Sequence, residues 1–330
     1  TSVNKNELIP LCFGECFNVS PLLSNPATLE YKVHGAAIES IIEVRDNGVP
    51  VAHTDTIASG KFTLSAQPFG QVTASVQGDK PVTWDTTVSK LVQRIVTGYG
   101  GANKFVSGDL DAAQLAAFDA ANTQPVGIYL KERTNTLAVC NQLAASVGAQ
   151  LVMSRLGKLQ LLKVELPASG TAFAIDTNDI IDNSLSISQK LPVKAAFKVN
   201  YDRNYTVQSG LQTGIPEEHK DMYSLEWVSV TAQDATVKTN YSLDSEPVPV
   251  DTLLLTESDA TAEATRLLNL YKTPRFVVTF TGTARLVELT LGQRVTLTYP
   301  RFGLGAAKEG QVIGLSIDWS NLTVKCEVII

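Results

Sequence analysis

The chain has 330 residues, a formal net charge of −6 and a sequence pI near 5.2. Hydrophobic residues at 44% and charged residues at 18% are typical of a globular protein, and about 150 residues per domain gives a prior of roughly two domains. The acidic balance argues against a nucleic-acid-binding surface, which needs clustered Lys and Arg. It is explained best by plain solubility, and a surface past which DNA moves without sticking is the less favoured alternative.

The first residues of the chain show no clear hydrophobic periodicity. Residues 1–28 carry three prolines among scattered apolar residues, which predicts an extended connector and a chain that begins inside a longer protein. Residues 29–78 favour short strands, and Asn47-Gly48 between two apolar runs predicts a hairpin, because a type I′ turn needs positive φ at both positions. We therefore predict a connector and β-rich segment over residues 1–84.

The middle of the chain changes to a helical period. From Asp85, a candidate N-cap, apolar residues recur on one helical face as far as Val96. An alanine-rich helix over 109–121, a strand over 126–130, a helix capped by Asn135 and a hairpin over 150–164 follow. This order of elements predicts a small α+β module over residues 85–166.

The remainder is predicted to be mostly strands. Strands at 185–189 and 193–201 precede a polar excursion over 202–250, and Ser258 is the candidate N-cap of a helix that Pro274 ends. The last four predicted strands are 275–282, 294–299, 310–317 and 322–329. Short strands at this spacing favour a closed or nearly closed barrel. The predicted fold is mainly β with α+β, and residues 167–330 form its C-terminal β-barrel domain.

The sequence offers no constellation of residues typical of catalysis. None of its three histidines has a His or Cys partner at ligand spacing, and Cys12 and Cys16 form a C-x3-C pair without a second pair nearby. Buried thiols are therefore favoured over a metal site or a disulfide. No stretch reaches the about 18 apolar residues of a membrane-spanning helix. We predict a non-enzymatic protein with no catalytic, cofactor or metal site.

Several stretches, in order along nearly the whole chain, carry a resemblance to a known family. They are 10–14, 18–21 (NVSP), 31–34 (YKVH), 44–48 (VRDNG), 126–129, 146–149, 157–159, 201–208 (YDRNYTVQ), 266–275 (RLLNLYKTPR), 291–303 (LGQRVTLTYPRFG) and 310–315 running on to Trp319. Together they resemble the central tail hub, or tail-tip (baseplate hub), proteins of long-tailed bacteriophages. Each stretch alone is weak, whereas the ordered set is specific.

The resemblance implies a structural role in a virion. It implies a homotrimeric hub whose tube-forming β-barrels continue and close the tail tube, and through which DNA is ejected without specific binding. It also implies a distal tail protein, a tape-measure protein and other tail-tip proteins as partners, synthesis in the bacterial cytoplasm and a final location at the phage tail tip or baseplate. In the family another domain precedes the part similar to residues 1–50, which agrees with a connector-like start.

Four residues are candidates for subunit contacts, since arginine and aromatic side chains are enriched in interface cores. They are Arg203 in the 201–208 stretch, and Arg275, Arg301 and Phe302 near the predicted barrel. Local stabilisation of turns is the competing interpretation for each. Two other functions stay open: a module that binds a host-surface glycan or protein through 202–250, and a cell-wall hydrolase that uses a dispersed carboxylate pair.

Overall fold

A computed structural model describes residues 7–166, 170–211, 215–243 and 246–330 of the protein. Up to residue 147 the described chain forms nine strands and three α-helices. Their bounds are β1 Leu11–Val19, β2 Leu22–Asn25, β3 Glu30–Lys32, β4 Ile38–Asp46, β5 Val49–Pro50, β6 His53–Thr56, β7 Lys61–Leu64, β8 Val72–Asp79, α1 Val88–Gly98, α2 Ala112–Ala121, β9 Gly127–Leu130 and α3 Thr136–Ala145.

The described residues beyond 147 form eleven strands and three α-helices. Their bounds are β10 Ala149–Met153, β11 Leu159–Lys163, β12 Phe173–Ile175, β13 Ser186–Leu191, β14 Ala196–Tyr201, α4 Glu217–Ser224, β15 Val228–Gln233, α5 Ala235–Asn240, β16 Pro249–Asp251, α6 Glu257–Tyr271, β17 Arg275–Gly282, β18 Arg294–Leu297, β19 Lys308–Asp318 and β20 Thr323–Ile329. No helix in the described part of the chain is both long and apolar enough to cross a membrane.

The chain folds into two compact units, each assembled from three stretches of sequence. Of the described residues, those within 7–147, 199–230 and 249–262 form unit 1, and those within 148–198, 231–248 and 263–330 form unit 2. The division of the sequence into 1–84, 85–166 and 167–330 stays a prediction.

An interior strand of unit 1 lies where the sequence predicted a connector. Its five-stranded sheet has the order β5-β4-β8-β1-β9, so β1 is paired on both sides. The connector prediction is therefore wrong for residues 11–19, and residues 1–6 lie outside the described part of the chain. Gly14 has φ +67 and the register with β8 shifts between Cys16 and Val19. These two irregularities break the alternation from which a strand is predicted.

The hairpin predicted at Asn47-Gly48 is confirmed. Asn47 has φ +48 and Gly48 has φ +86, and the turn joins β4 to β5 in antiparallel register. Both residues therefore occupy the left-handed region that a type I′ turn requires. On its other edge, β4 pairs antiparallel with β8.

The predicted helices of unit 1 are confirmed, with one change of cap. α1 buries its apolar face, but it begins after Thr87 rather than at Asp85. α2 begins after Asp111, which accepts a hydrogen bond from the Gln114 amide. Asn135 caps α3 as predicted, because its side-chain oxygen accepts hydrogen bonds from two amides of the first turn.

The start of α6 also differs from the prediction. The helix begins at Glu257, so Ser258 lies inside it rather than at its cap. The hydroxyl of Thr256 accepts a hydrogen bond from the Asp259 amide at 3.2 Å and donates to the Asp259 carboxylate at 2.6 Å. Thr256 is thus the residue whose side chain satisfies the first turn.

A six-stranded sheet organises unit 2. Its order is β12-β18-β19-β20-β17-β13, and the four predicted C-terminal strands are present as β17 to β20. Its buried apolar side chains include Val278, Phe280 and Val312. The strand order ends at β12 and β13, and no closed barrel forms among the described residues. The mainly β prediction with some helices is confirmed, while the barrel is not.

The polar stretch 202–250 contains regular elements. α4, β15 and α5 lie within it and β16 begins at its end, and Asp234 caps α5 by accepting hydrogen bonds from two amides. Residues 212–214 and 244–245 of this stretch are outside the described residues. All four cysteines are buried and free, as predicted.

Candidate functional site

Two stretches that carry the family resemblance meet in a buried amide network of unit 1. The Asn18 Nδ2 donates to Asn204 Oδ1 at 2.9 Å, to the Thr206 carbonyl at 2.8 Å and to Gln208 Oε1 at 3.4 Å. The Asn204 Nδ2 donates in turn to three backbone carbonyls within residues 222–225. Buried amides in such a network fix a chain path, so these motif residues position the segment after β14 against β1.

Of the four predicted contact residues, Arg203 is engaged within its own unit. Its Nη2 donates to Glu226 Oε1 at 3.0 Å, and its guanidinium lies 5.0 Å from the Tyr205 ring and 5.1 Å from the Trp227 ring. About a third of the side chain, 32%, stays exposed. These contacts are those of local stabilisation, and a role in a subunit contact stays a prediction.

Arg275 is also held locally, in unit 2. Its Nε donates to the Leu270 carbonyl at 2.7 Å, near the end of α6. Burial lowers the pKa of this guanidinium, because the charged form loses hydration. The side chain thus satisfies a carbonyl that the helix end leaves without an intrahelical partner.

Arg301 and Phe302 lie side by side in the exposed loop between β18 and β19. The Tyr299 amide donates to the Leu304 carbonyl at 2.8 Å, and the Leu304 amide donates to the Arg301 carbonyl at 3.1 Å. Leu304 is fully buried, whereas 46% of Phe302 is exposed and its φ is +59. The buried Leu304 and the two backbone hydrogen bonds therefore hold the loop in place, while Arg301 and Phe302 are exposed to solvent.

The most exposed aromatic side chain of unit 1 was not predicted as a contact residue. Phe69, at 94% exposure, lies in the loop between β7 and β8, which we call the Phe69 loop (residues 65–71). A single aromatic between Pro68 and Gly70 is the sequence signal that marks it, since turns between strands favour polar residues. Exposed aromatic residues become anchors when a partner covers them.

A buried carboxylate fixes the Phe69 loop. Asp46, only 3% exposed, accepts hydrogen bonds from the amides of Phe69 at 2.6 Å and of Gly70 at 2.8 Å. The neighbouring Asn47 exchanges two further hydrogen bonds with Gln71, at 2.8 and 3.0 Å. Four hydrogen bonds to the β4–β5 turn therefore hold the loop in one conformation. Such preorganisation lowers the entropy lost on binding.

A cavity of about 330 Å³ opens elsewhere in unit 1, and we call it the Tyr99 pocket. Its apolar wall is Leu8, Ile9, Leu11, Phe13, Ile95, Leu130 and Val139, joined by Tyr99. Leu8 and Ile9 are 42% and 51% exposed at its edge. Lys131, Glu132 and Arg133 line its mouth. A mostly apolar pocket with a charged rim is suited to an apolar or aromatic group.

A buried ionic cluster contacts the Tyr99 pocket through the Tyr99 hydroxyl. Asp79 Oδ2 accepts a hydrogen bond from Arg94 Nε at 2.5 Å, and Asp79 Oδ1 lies 3.1 Å from His34 Nε2 and accepts from the Tyr99 hydroxyl at 3.3 Å. The Cys12 amide donates to His34 Nδ1 at 3.0 Å. This contact makes Nδ1 the acceptor, so Nε2 carries the proton that faces Asp79.

Burial and neighbouring charge act in opposite directions on the pKa of Asp79 and in the same direction on the pKa of Tyr99. Burial raises the pKa of Asp79, but the hydrogen bonds from His34 and Arg94 and the charge of Arg94 outweigh it and hold that pKa at about 2. Burial, reinforced by the negative charge of Asp79, raises the pKa of Tyr99 to about 12. Asp79 is therefore ionised and Tyr99 neutral at neutral pH, which suits a structural role.

A second cavity, also of about 330 Å³, lies in unit 2 beside β14 and α5. Lys194 lies at its wall, with Nζ 5.0 Å from the Phe197 ring and 6.0 Å from the Tyr271 ring. No group of three or more His, Cys, Asp or Glu side chains that could hold a metal occurs among the described residues.

Comparison with known proteins shows a shared fold. No family model and no curated protein matches the chain. A chain from the structure of the virion of the native gene transfer agent particle aligns with 99% of this chain and 85% of its own length, at 12% identity and a TM-score of 0.61. At that identity the likeness shows the fold alone, and the fold is that of a chain in a virion particle.

Two prophage tail proteins also align over most of their length. The 43 kDa tail protein of prophage MuSo2 from Shewanella oneidensis covers 98% of this chain and 93% of its own, with 11% identity and a TM-score of 0.39. The prophage tail protein gp18 from Listeria monocytogenes EGD-e covers 98% and 89%, with 13% identity and a TM-score of 0.36. These scores are too low to carry an argument about this chain.

Proposed function

We propose that the protein is a non-enzymatic structural component of a phage-type tail and resides in the virion. The observation that carries the proposal is the fold shared over 99% of the chain with a chain of the gene transfer agent virion. The ordered sequence stretches that resemble tail hub proteins support it independently.

The finer form of the proposal is a homotrimeric hub that continues and closes the tail tube. Each copy contributes two compact units built around sheets, so three copies supply six positions around a channel. A closed ring of this kind is a common solution for symmetric assemblies. A distal tail protein, a tape-measure protein and other tail-tip proteins are the partners in this proposal. Tube-forming barrels would be completed between subunits.

The net charge of −6 suits passage of DNA through such a channel. Like charges repel the phosphate backbone, so DNA would be ejected without specific binding. In the same proposal Arg301 and Phe302 make contacts between subunits, because their loop is anchored and both side chains are exposed.

A host-surface-binding function receives less support. Glycan sites use exposed aromatic faces, yet Tyr205 lies under Arg203, Tyr223 is 7% exposed and Trp227 is covered by the Arg203 guanidinium. Tyr241, at 45%, is the exposed aromatic of that group. We therefore retain the structural function alone.

Native mass spectrometry of the purified chain tests the oligomer. We expect a trimer at micromolar concentration. We expect Phe302→Ser to weaken it, while Leu156→Ser, which changes a more exposed apolar side chain of the same unit, does not. A chain that stays monomeric at all concentrations would contradict the hub proposal.

A further inference from the structure

Two stretches of unit 2 carry positive charge and no acidic residue. Residues 183–198 and 264–287 contain seven Lys and Arg residues but no Asp or Glu, in a chain where one residue in ten is acidic. β13 lies in the first stretch and β17 in the second, and the two strands pair antiparallel. The fold thus places the two stretches side by side, and the net charge of −6 for the whole chain conceals a region of opposite sign.

Four of these cations lie in two adjacent connections between elements. We call them the basic patch: Lys190, Lys194, Lys272 and Arg275. Lys190 lies near the end of β13 and Lys194 before the start of β14, while Lys272 follows α6 and Arg275 begins β17. The Lys194 amide donates to the Tyr271 carbonyl at 3.0 Å. This bond and the β13–β17 pairing hold the two connections together.

The three lysines of the basic patch are available to a ligand. Lys190 and Lys194 are exposed and Lys272 is half-buried, and none of the three forms an ion pair among the described residues. The Lys194 Nζ lies 5.0 Å from the Phe197 ring and 6.0 Å from the Tyr271 ring. These rings attract the ammonium group through their faces without neutralising its charge.

Two described carboxylates lie near the basic patch. Asp234 is beside the start of β14, but its carboxylate accepts hydrogen bonds from the amides of Thr236 and Val237, both at 3.1 Å. Glu246 is exposed and lines the same cavity as Lys194. Two carboxylates against four cations leave the positive charge in excess.

The character of the patch favours a phosphate backbone over an acidic protein surface. The core of a protein interface is apolar, yet neither stretch, both of which the structure describes in full, contains an exposed large apolar side chain. Lysine contacts phosphates as a point charge and carries no sequence information in doing so. Phe197 beneath Lys194 is only 5% exposed, so it does not offer a face on which a base could stack.

We propose that the basic patch binds the phosphate backbone of double-stranded DNA without reading its sequence. This inference rests on the proposed function, in which DNA passes through the assembled tail, and names the surface that the DNA contacts. The patch contributes +4, so the rest of the chain carries a formal charge of −10 and repels DNA. The contact is therefore weak, confined to the patch and sensitive to salt.

Fluorescence anisotropy with a short labelled DNA duplex measures the contact. The test variant combines Lys190→Gln, Lys194→Gln and Lys272→Gln. The matched control changes the net charge equally at three exposed lysines outside the patch, by Lys104→Gln, Lys308→Gln and Lys325→Gln. At low salt we expect the test variant to raise the Kd for DNA at least about 10-fold and the control to change it less than about 2-fold. Both variants should melt at the wild-type temperature, because Arg275, which bonds the Leu270 carbonyl, is left in place.

The dependence on salt and on sequence tests the mode of binding. Three lysine–phosphate contacts predict that the logarithm of the association constant falls with the logarithm of the salt concentration with a slope of about −3, over about 50 to 200 mM salt. Two duplexes of unrelated sequence should bind with the same Kd. A Kd that does not change with salt, or that differs more than about 10-fold between the two duplexes, would overturn the inference.

A competitor and an assembly measurement complete the experiment. Poly-glutamate that binds the wild-type chain more tightly than DNA of equal charge would assign the patch to an acidic protein partner and overturn the inference. Equal loss of DNA binding in the test and control variants would also overturn it. Native mass spectrometry of the same samples separates the two proposals: a trimer that does not bind DNA overturns the patch alone, and a monomer that binds DNA through the patch overturns the trimeric hub alone.

Discussion

Replacement of Asp79 by asparagine removes the charge at the centre of the buried cluster while retaining its shape. The ionised carboxylate has its pKa held at about 2, against 3.8 for an ordinary Asp. At about 1.36 kcal/mol per pKa unit, this difference stabilises the folded state by ~2 kcal/mol. We therefore expect Asp79→Asn to lower the free energy of unfolding by ~2 kcal/mol at pH 7.

The lowered pKa of Asp79 determines how this stabilisation changes with pH. Because the folded-state pKa is depressed, the stabilisation is present above the unfolded-state pKa near 3.8 and is lost as the pH falls towards 2. The difference between wild type and Asp79→Asn should thus be constant from pH 7 to pH 5 and shrink to below about 0.5 kcal/mol at pH 2.

Urea unfolding followed by tryptophan fluorescence is the assay. Trp84 and Trp227 both lie in unit 1, whereas Trp319 of unit 2 is already 68% exposed, so the signal reports mainly on unit 1. Asp85→Asn is the matched control, since Asp85 is 4.0 Å from Lys90 Nζ in a looser pair. A difference for Asp79→Asn that does not change with pH would refute the reasoning.

Three further predictions concern packing, the Phe69 loop and the thiols. Gly127→Ala should lower the free energy of unfolding in urea by at least ~3 kcal/mol, because its Cβ would lie 1.7 Å from the Glu15 carbonyl oxygen. A Cβ on Gly108 would meet nothing within 4 Å, so Gly108→Ala should leave that free energy unchanged. Asp46→Ala should destabilise by ~1–3 kcal/mol and speed hydrogen exchange at the Phe69 amide. All four buried cysteines should resist a thiol-specific reagent in the native protein and react after unfolding in urea.

Each of these has an outcome that would contradict it. A tolerated Gly127→Ala would show that β1 and β9 do not approach as closely as described. Unchanged exchange at the Phe69 amide in Asp46→Ala would remove the case for a fixed loop. Rapid labelling of the native thiols would contradict the burial that raises the pKa of Cys140 and of Cys326 to about 12.

The parts of the fold with a clear local period were predictable from the sequence. α1 has an unbroken apolar face, and the Asn47-Gly48 turn has residues that favour positive φ. β1 was missed because Gly14 and the register shift after Cys16 disrupt its alternation. Its identity depends on pairing with β8 and β9, which are distant in sequence, and local pattern carries no information on such pairs.

The candidate functional site was also only partly predictable from the sequence. Residue type selected Arg301 and Phe302 as candidates for subunit contacts, and both are exposed, while their contact role stays a prediction. Arg203, selected in the same way, is engaged by Glu226 and two aromatic rings. The sequence Pro68-Phe69-Gly70 marks Phe69, but the fixed position of its loop depends on Asp46, 23 residues earlier in the chain, and is not visible in the local pattern. The Tyr99 pocket likewise combines strand and helix residues that only the tertiary structure brings together.

The position of this chain in an assembled particle tests the central claim most directly. Electron cryo-microscopy of intact tails that contain the protein, with a small peptide tag in the exposed Leu156-Gly157 turn between β10 and β11 to identify it, would locate each copy. We expect three copies around the tail axis at the distal end of the tube. Density for the tag at the periphery of the particle, or tails that assemble fully without the chain, would contradict the account.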